Sequence, residues 1–202
     1  MTIEPADANP IEVYRHLVHT VVPRPIGWIS SRGTSGVDNL APYSFFNAVC
    51  AKPAAVMFAS TTTRDGKDKD SLRNVRETGE FVVNIVSEDV AEMMNKSAAS
   101  LPYGESEFDH AGIEKEEAKT VACSRVKAAH VHFECTLHET VQIGEGPMST
   151  VMVIGLVRRM DIADHLLGEN GYVDPHKLAA VGRMGGNSYC RASDIFDLDR
   201  PA

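Results

Sequence analysis

Apolar side chains recur at helical spacing in a few stretches of this chain and run as strand-like blocks in many more. Residues 10–19 place Ile11, Tyr14, Leu17 and Val18 on one helical stripe, with Asn9 as the cap and Pro10 in the first turn. A strand-like run follows from Ile26 to Ser31, closed by the turn-rich SRGTSGVDN. Residues 40–49 are apolar and aromatic, and residues 54–60 form a second buried strand candidate. Polarity then rises at Thr61. The stretch 61–79 predicts a short helix capped by Asp70 or Ser71 and stopped by Gly79. A strand is expected over 81–86, then a helix from about Ser87 that buries Val90, Met93 and Met94. The segment 99–119 reads as irregular. Two alternating stretches, about 129–143 and 148–161, are joined by the turn GEGP and predict a long β-hairpin. From about residue 165 the chain mixes short helical pieces with loops.

Many strands with few, irregularly spaced helices predict a mainly β fold, a closed or nearly closed antiparallel barrel with short helical insertions. Regular strand–helix alternation is missing, and no GxGxxG follows a strand, which argues against a doubly wound nucleotide-binding sheet. The 202 residues suit one domain spanning 1–202. A formal charge of −8 disfavours nucleic acid and anionic membranes as partners, so a phosphate-bearing ligand needs a local site. No apolar run is long enough to cross a bilayer, the first ten residues do not resemble a secretory leader, and the four cysteines show no paired spacing. A cytoplasmic location with reduced thiols is the expectation, and Cys50 and Cys190 read as structural.

Three stretches could carry chemistry. Around the start of the helix after Thr61, Lys69 and Ser71 stand among Arg64, Lys67, Arg73 and Arg76, five cations against four acids in an acidic chain. A helix start offers unpaired N–H groups and a partial positive charge, which suit a phosphate. The same residues also fit a solvated, mixed-charge loop with ordinary capping. In NLAPYSFFN (39–47), Pro42, Tyr43, Phe45 and Phe46 crowd apolar surface beside Asn39, Ser44 and Asn47. That mixture suits the flat wall and polar edge of a planar ring, or simply a core strand. His130, His132 and Glu134 share one side of a predicted strand, a metal-ligating set or an exposed polar face opposite Val131, Phe133 and Cys135. No catalytic triad or nucleophile elbow is visible.

Taken in order, VPRPIGWISS (22–31), NLAPYSFFNAV (39–49), AKPAAVMFAS (51–60), KDSLRN (69–74), TGEFVVNIV (78–86), SEFDHAGI (106–113), FEC (133–135) and VGRMGGNSY (181–189) resemble the flavin reductase-like, FMN-binding split-barrel family of the flavoredoxin type. The resemblance implies a six-stranded Greek-key split barrel and a homodimer with non-covalent FMN near the interface. It implies NAD(P)H as electron donor and a monooxygenase or other electron acceptor as a partner. Carried over by motif, Lys69 and Ser71 are the implied phosphate ligands, helped by Asn74. Arg24, Trp28, Ile29 and Ser30 lie on the implied strand entering the pocket. Asn39, Leu40, Ala41, Ser44, Phe45 and Phe46 form the implied ring-contacting segment, with Ser60 nearby. Arg183, Gly186 and Tyr189 belong to the implied rim or dimer contact. Ser71 replaces a frequent threonine and keeps the hydroxyl, whereas Leu156 stands where many members carry a glutamate, so any role of that acid is absent. Such a barrel implies no catalytic side chain, because the cofactor carries the hydride chemistry. The sequence leaves open an NAD(P)H-dependent reductase, an FMN-binding electron carrier and a small metal module.

Overall fold

The computed structural model describes residues 1–147 and 149–201. Its strands are β1 (Arg24–Pro25), β2 (Gly27–Arg32), β3 (Asp38–Tyr43), β4 (Phe46–Ala51), β5 (Ala54–Thr61) and β6 (Glu80–Ile85), followed by β7 (Lys115–Glu117) and β8 (Ser124–Val126). The hairpin strands β9 (Val131–Ile143) and β10 (Thr150–Ile162) come next, then β11 (Val181–Arg183) and β12 (Tyr189–Arg191). The helices are α1 (Pro10–Thr20), α2 (Asp70–Thr78), α3 (Ala91–Lys96), α4 (Glu107–Ala111) and α5 (Pro175–Leu178). Met148, expected to begin the second hairpin strand, lies outside the described residues.

Seven strands form one antiparallel sheet in the order β3-β2-β6-β9-β10-β5-β4. Its two edges, β3 and β4, are consecutive in sequence and separated only by Ser44 and Phe45, so the sheet must curl until its edges meet. No ladder joins β3 to β4, and the seam stays open. This is a split barrel, with seven strands in the ladder where the resemblance implied six. The 13-residue strands β9 and β10 are its longest pair, with register shifts between Ile154 and Gly155 and between Val157 and Arg159. Gly155 admits a close approach: a Cβ there would lie 2.2 Å from Phe81 Cζ, so only glycine leaves room for that ring.

The barrel core packs Ile29, Phe58, Phe81, Val83, Val151 and Val153, and α2 closes one end by inserting Leu72 and Val75. A second core on the other side of β2 gathers Trp28, Leu40, Met94, Phe108 and Val126 beneath α3 and α4. The strand β2 is therefore covered on both faces, which explains why it reads as a continuous buried run. Two expectations differ. Lys69, rather than Asp70 or Ser71, is the N-cap of α2 and makes no side-chain cap bond. The segment 99–119 contains α4 and β7, elements too short to leave a periodic signal. On α1 the apolar stripe stays open: Val18 is buried, while Ile11, Tyr14 and Leu17 are exposed. A small sheet, β1-β11-β12, packs near that helix and sets Arg24 directly opposite Arg183.

Candidate functional site

With Leu72 and Val75 of α2 in the barrel core, the first turn of that helix borders the same cleft as Ser44 and Phe45 of the β3–β4 seam. There a cleft of about 470 Å³ is lined by Asn39, Ala41, Pro42, Tyr43, Ser44 and Phe45 on one side and Lys69, Asp70 and Ser71 on the other. The helix start and the aromatic segment thus share one cavity. Ser71 Oγ donates to Asn39 Oδ1 at 2.6 Å, a direct link between the two walls.

The first turn of α2 is unusually open to a ligand. The N–H groups of Asp70, Ser71 and Leu72 have no protein acceptor among the described residues, and lysine at the cap position supplies no oxygen to satisfy them. The Lys69 ammonium forms no ion pair among the described residues. Nearby, the Tyr43 hydroxyl and Ser60 Oγ are buried and have no hydrogen-bond partner among the described residues. Burial also pushes the Tyr43 phenol up from its ordinary value, so it stays a proton donor. Orphaned donors of this kind are costly unless something accepts from them.

Carboxylates share the cleft. Asp68 is paired with Arg76. Glu107, reaching in from α4, accepts from Asn39 Nδ2 and Leu40 N, both at 2.8 Å to Oε2. These bonds orient the Asn39 amide so that its oxygen faces Ser71. Burial raises the Glu107 and Asp70 carboxyls above their usual range, and for Glu107 the neighbouring Asp70 adds to the rise.

A second cleft of about 480 Å³ adjoins the first, and Tyr14, Pro42, Ser44 and Ala98 line both. Arg24, Arg183, Gly186 and Tyr189 lie here with Arg15 and His19. The structure does not bring the remaining expected site residues to either cleft. Trp28, Ile29, Ser30 and Leu40 are fully buried, Trp28 reaching the first cleft only through its Nε1 bond to Ser97 Oγ at 2.8 Å. Phe46 turns into the barrel core. Ser60 sits behind the cleft wall. Asn74 faces a small crevice with Gly33 and Tyr103, and its Nδ2 donates to Ser31 Oγ.

Tyr14, Asp70 and Glu107 were not among the expected site residues, and Tyr43 was expected as apolar surface of the 39–47 stretch, not for its hydroxyl. Tyr14 had a signal, an aromatic on an amphipathic helix. Glu107 lay in the stretch SEFDHAGI, but nothing there pointed to Asn39, 68 residues away. The set His130, His132 and Glu134 is dispersed among separate partners. His130 Nε2 meets Asp89 at 2.9 Å, His132 Nε2 meets the Val126 carbonyl, and Glu134 accepts from Lys119 N and Thr120 N. His132 and Glu134 are buried, so these residues are not the exposed polar face of the alternative reading either. No cluster of three metal-ligating side chains occurs among the described residues, and no described helix is long and apolar enough to cross a membrane.

The chain belongs to the flavin reductase like domain family, whose model matches residues 18–179. An uncharacterized protein of Halalkalibacterium halodurans is 34% identical over 100% of this chain and 97% of its own. Among solved structures, nitrilotriacetate monooxygenase component B from Bacillus cereus aligns with a TM-score of 0.93 and 32% identity, covering 98% of each chain. The Pseudomonas fluorescens 2-nitrobenzoate 2-nitroreductase aligns with a TM-score of 0.89 and 29% identity, covering 100% of this chain and 96% of its own.

Proposed function

We propose that this chain is a flavin oxidoreductase that binds FMN without a covalent bond in the first cleft and exchanges two electrons with NAD(P)H. The observation that carries the reading is the shared cavity: three unpaired N–H groups and a free lysine at one end, an aromatic-amide wall at the other. The α2 start, Lys69 and Ser71 hold the phosphate, Ser71 exchanging its bond to Asn39 for one to the ligand. Ala41, Pro42 and Phe45 supply the flat wall, while Asn39 and Ser44 reach the ring's polar edge. Glu107 keeps Asn39 in the one orientation that faces both neighbours. Bound there, the flavin supplies the hydride-accepting centre, and the protein positions it and limits water.

The names of the related structures, a monooxygenase component and a nitroreductase, support redox work on small molecules and a monooxygenase as acceptor of the electrons. A homodimer accords with the open apolar stripe of Ile11, Tyr14 and Leu17 on α1 and with the exposed outer positions of β4. The experiment is an absorbance spectrum of the purified protein before and after anaerobic NADH and NADPH. Yellow protein that bleaches with either donor is the expected result. Yellow protein that neither bleaches is the electron carrier left open by the sequence, and protein that takes up no flavin ends this reading.

A further inference from the structure

The second cleft has a charge problem that the first does not. Arg24 is only 5% exposed, yet its guanidinium meets no carboxylate among the described residues. It donates instead to the carbonyls of Val18 at 2.6 Å, Val21 at 2.9 Å and Met184 at 2.9 Å, and through Nε to Ser44 Oγ at 3.3 Å. Those bonds fix the cation in place and do not neutralise it. Its cross-strand partner is Arg183, and like charges set opposite each other in an antiparallel pair repel. The Arg183 guanidinium lies over the Tyr189 ring at 4.5 Å and donates to Gly186 O, again without an acid. Arg15 and His19 of α1 add to the same wall, and no aspartate or glutamate among the described residues lines the cleft. In a chain of net charge −8, four basic side chains line one cavity with no counter-charge among the described residues, an arrangement that favours an anion.

We infer that this second cleft is an oxyanion site that takes the carboxylate or phosphate of a small molecule whose planar part reaches the first cleft across Tyr14, Pro42 and Ser44. Anion uptake itself follows from the charges alone, while the identity of that molecule as the redox partner of a flavin rests on the function proposed above. Guanidinium forks match either oxyanion, so the chemistry is shared and the source is a matter for measurement. Tyr14 and Tyr189 provide the ring faces against which a planar carboxylic acid or a nucleotide base can lie.

Isothermal titration calorimetry of the purified protein with inorganic pyrophosphate and, separately, with benzoate tests this. At least one of the two should bind, with an affinity that falls as salt rises and falls about tenfold in Arg183→Gln. Tighter pyrophosphate assigns a phosphate-bearing substrate and tighter benzoate a carboxylate; either supports the site. Arg15→Gln, an exposed change on α1, should weaken the same anion and guards against a folding defect in the first variant. Silence toward both anions at millimolar concentration overturns the inference, as does equal affinity in wild type and both variants. Flavin released in step with the added anion would place that anion in the first cleft and overturn it too. Protein that takes up no added flavin yet binds the anion would defeat the oxidoreductase reading and leave this one standing.

Discussion

The two adjoining clefts are nearly equal in volume, about 470 and 480 Å³, and opposite in electrostatic design. In the first, Lys69 stands among Asp68, Asp70 and Glu107, and the attraction for an anion comes from oriented N–H groups at the start of α2. In the second, Arg15, His19, Arg24 and Arg183 face no acid among the described residues. Attraction by hydrogen-bond dipoles is directional and short-ranged, so it fixes a group in one pose. Attraction by net charge is less particular about pose and is weakened by salt. The pairing suits a resident ligand held precisely beside a changing one drawn in by charge.

The largest effect should come from emptying the first cleft of its anchors. Lys69→Ala combined with Ser71→Ala removes a charge and a hydroxyl from the phosphate end. At about 1.5–3 kcal/mol for each charge-assisted bond, flavin affinity should fall by about 3–6 kcal/mol. Flavin fluorescence titration reads this directly. Equal affinity in the double variant would move the phosphate elsewhere, the cationic cleft being the obvious alternative, and would reverse the roles assigned to the two cavities.

A smaller effect, on stability instead of binding, should follow from Arg24→Met. The guanidinium ties the end of α1 to the Met184 segment and to Ser44, and methionine would leave three carbonyls without that donor. Relief of an uncompensated buried charge offsets part of the loss. A net destabilisation of about 2–3 kcal/mol is expected from urea unfolding, with an unchanged slope against denaturant. A variant as stable as the parent would mean that Arg24 is held for its charge alone.

The sequence made some of this legible and hid the rest for physical reasons. The hairpin β9–β10 and the strand-like runs declared themselves through alternation and apolar blocks, and the meeting of Lys69 and Ser71 with the 39–45 segment was expected from motif order. The exclusion of Trp28, Ile29 and Ser30 from the cavity was not legible. A strand covered on both faces looks, in sequence, the same as one that lines a pocket. Nor could the cationic cleft be read in advance. Arg183 is far from Arg15 and Arg24 in the chain, and only the pairing of β1 with β11 sets it opposite Arg24. Glu134 shows the opposite failure: alternation predicted an outward-facing acid, but the 118–120 segment covers it and supplies its donors.

The smallest effect is also the sharpest test of how the first cleft tolerates its acids. Asp70 lies in the first turn of α2, where burial raises its carboxyl above the ordinary range and Arg73 lowers it less. The other charged groups lining its cleft are Lys69, Asp68 and, from α4, Glu107, whose carboxyl is raised as well. A raised folded-state pKa means that the neutral form is favoured below it and that the cost of ionisation appears as pH climbs through it. A phosphate bound beside Asp70 repels the ionised form and pushes the carboxyl higher still. The Asp70 contribution therefore favours binding on the acid side and weakens it as pH rises through the carboxyl's range. The phosphate's own second ionisation strengthens binding as pH rises and opposes that trend, so the wild-type curve alone is ambiguous. The difference between wild type and Asp70→Asn removes that common contribution. Asp70→Asn should bind flavin about fivefold more tightly at neutral pH, the equivalent of about 1 kcal/mol for one screened charge, and the advantage should vanish as pH falls. An advantage that persists unchanged at acid pH would show that Asp70 acts on α2 itself and not on the ligand.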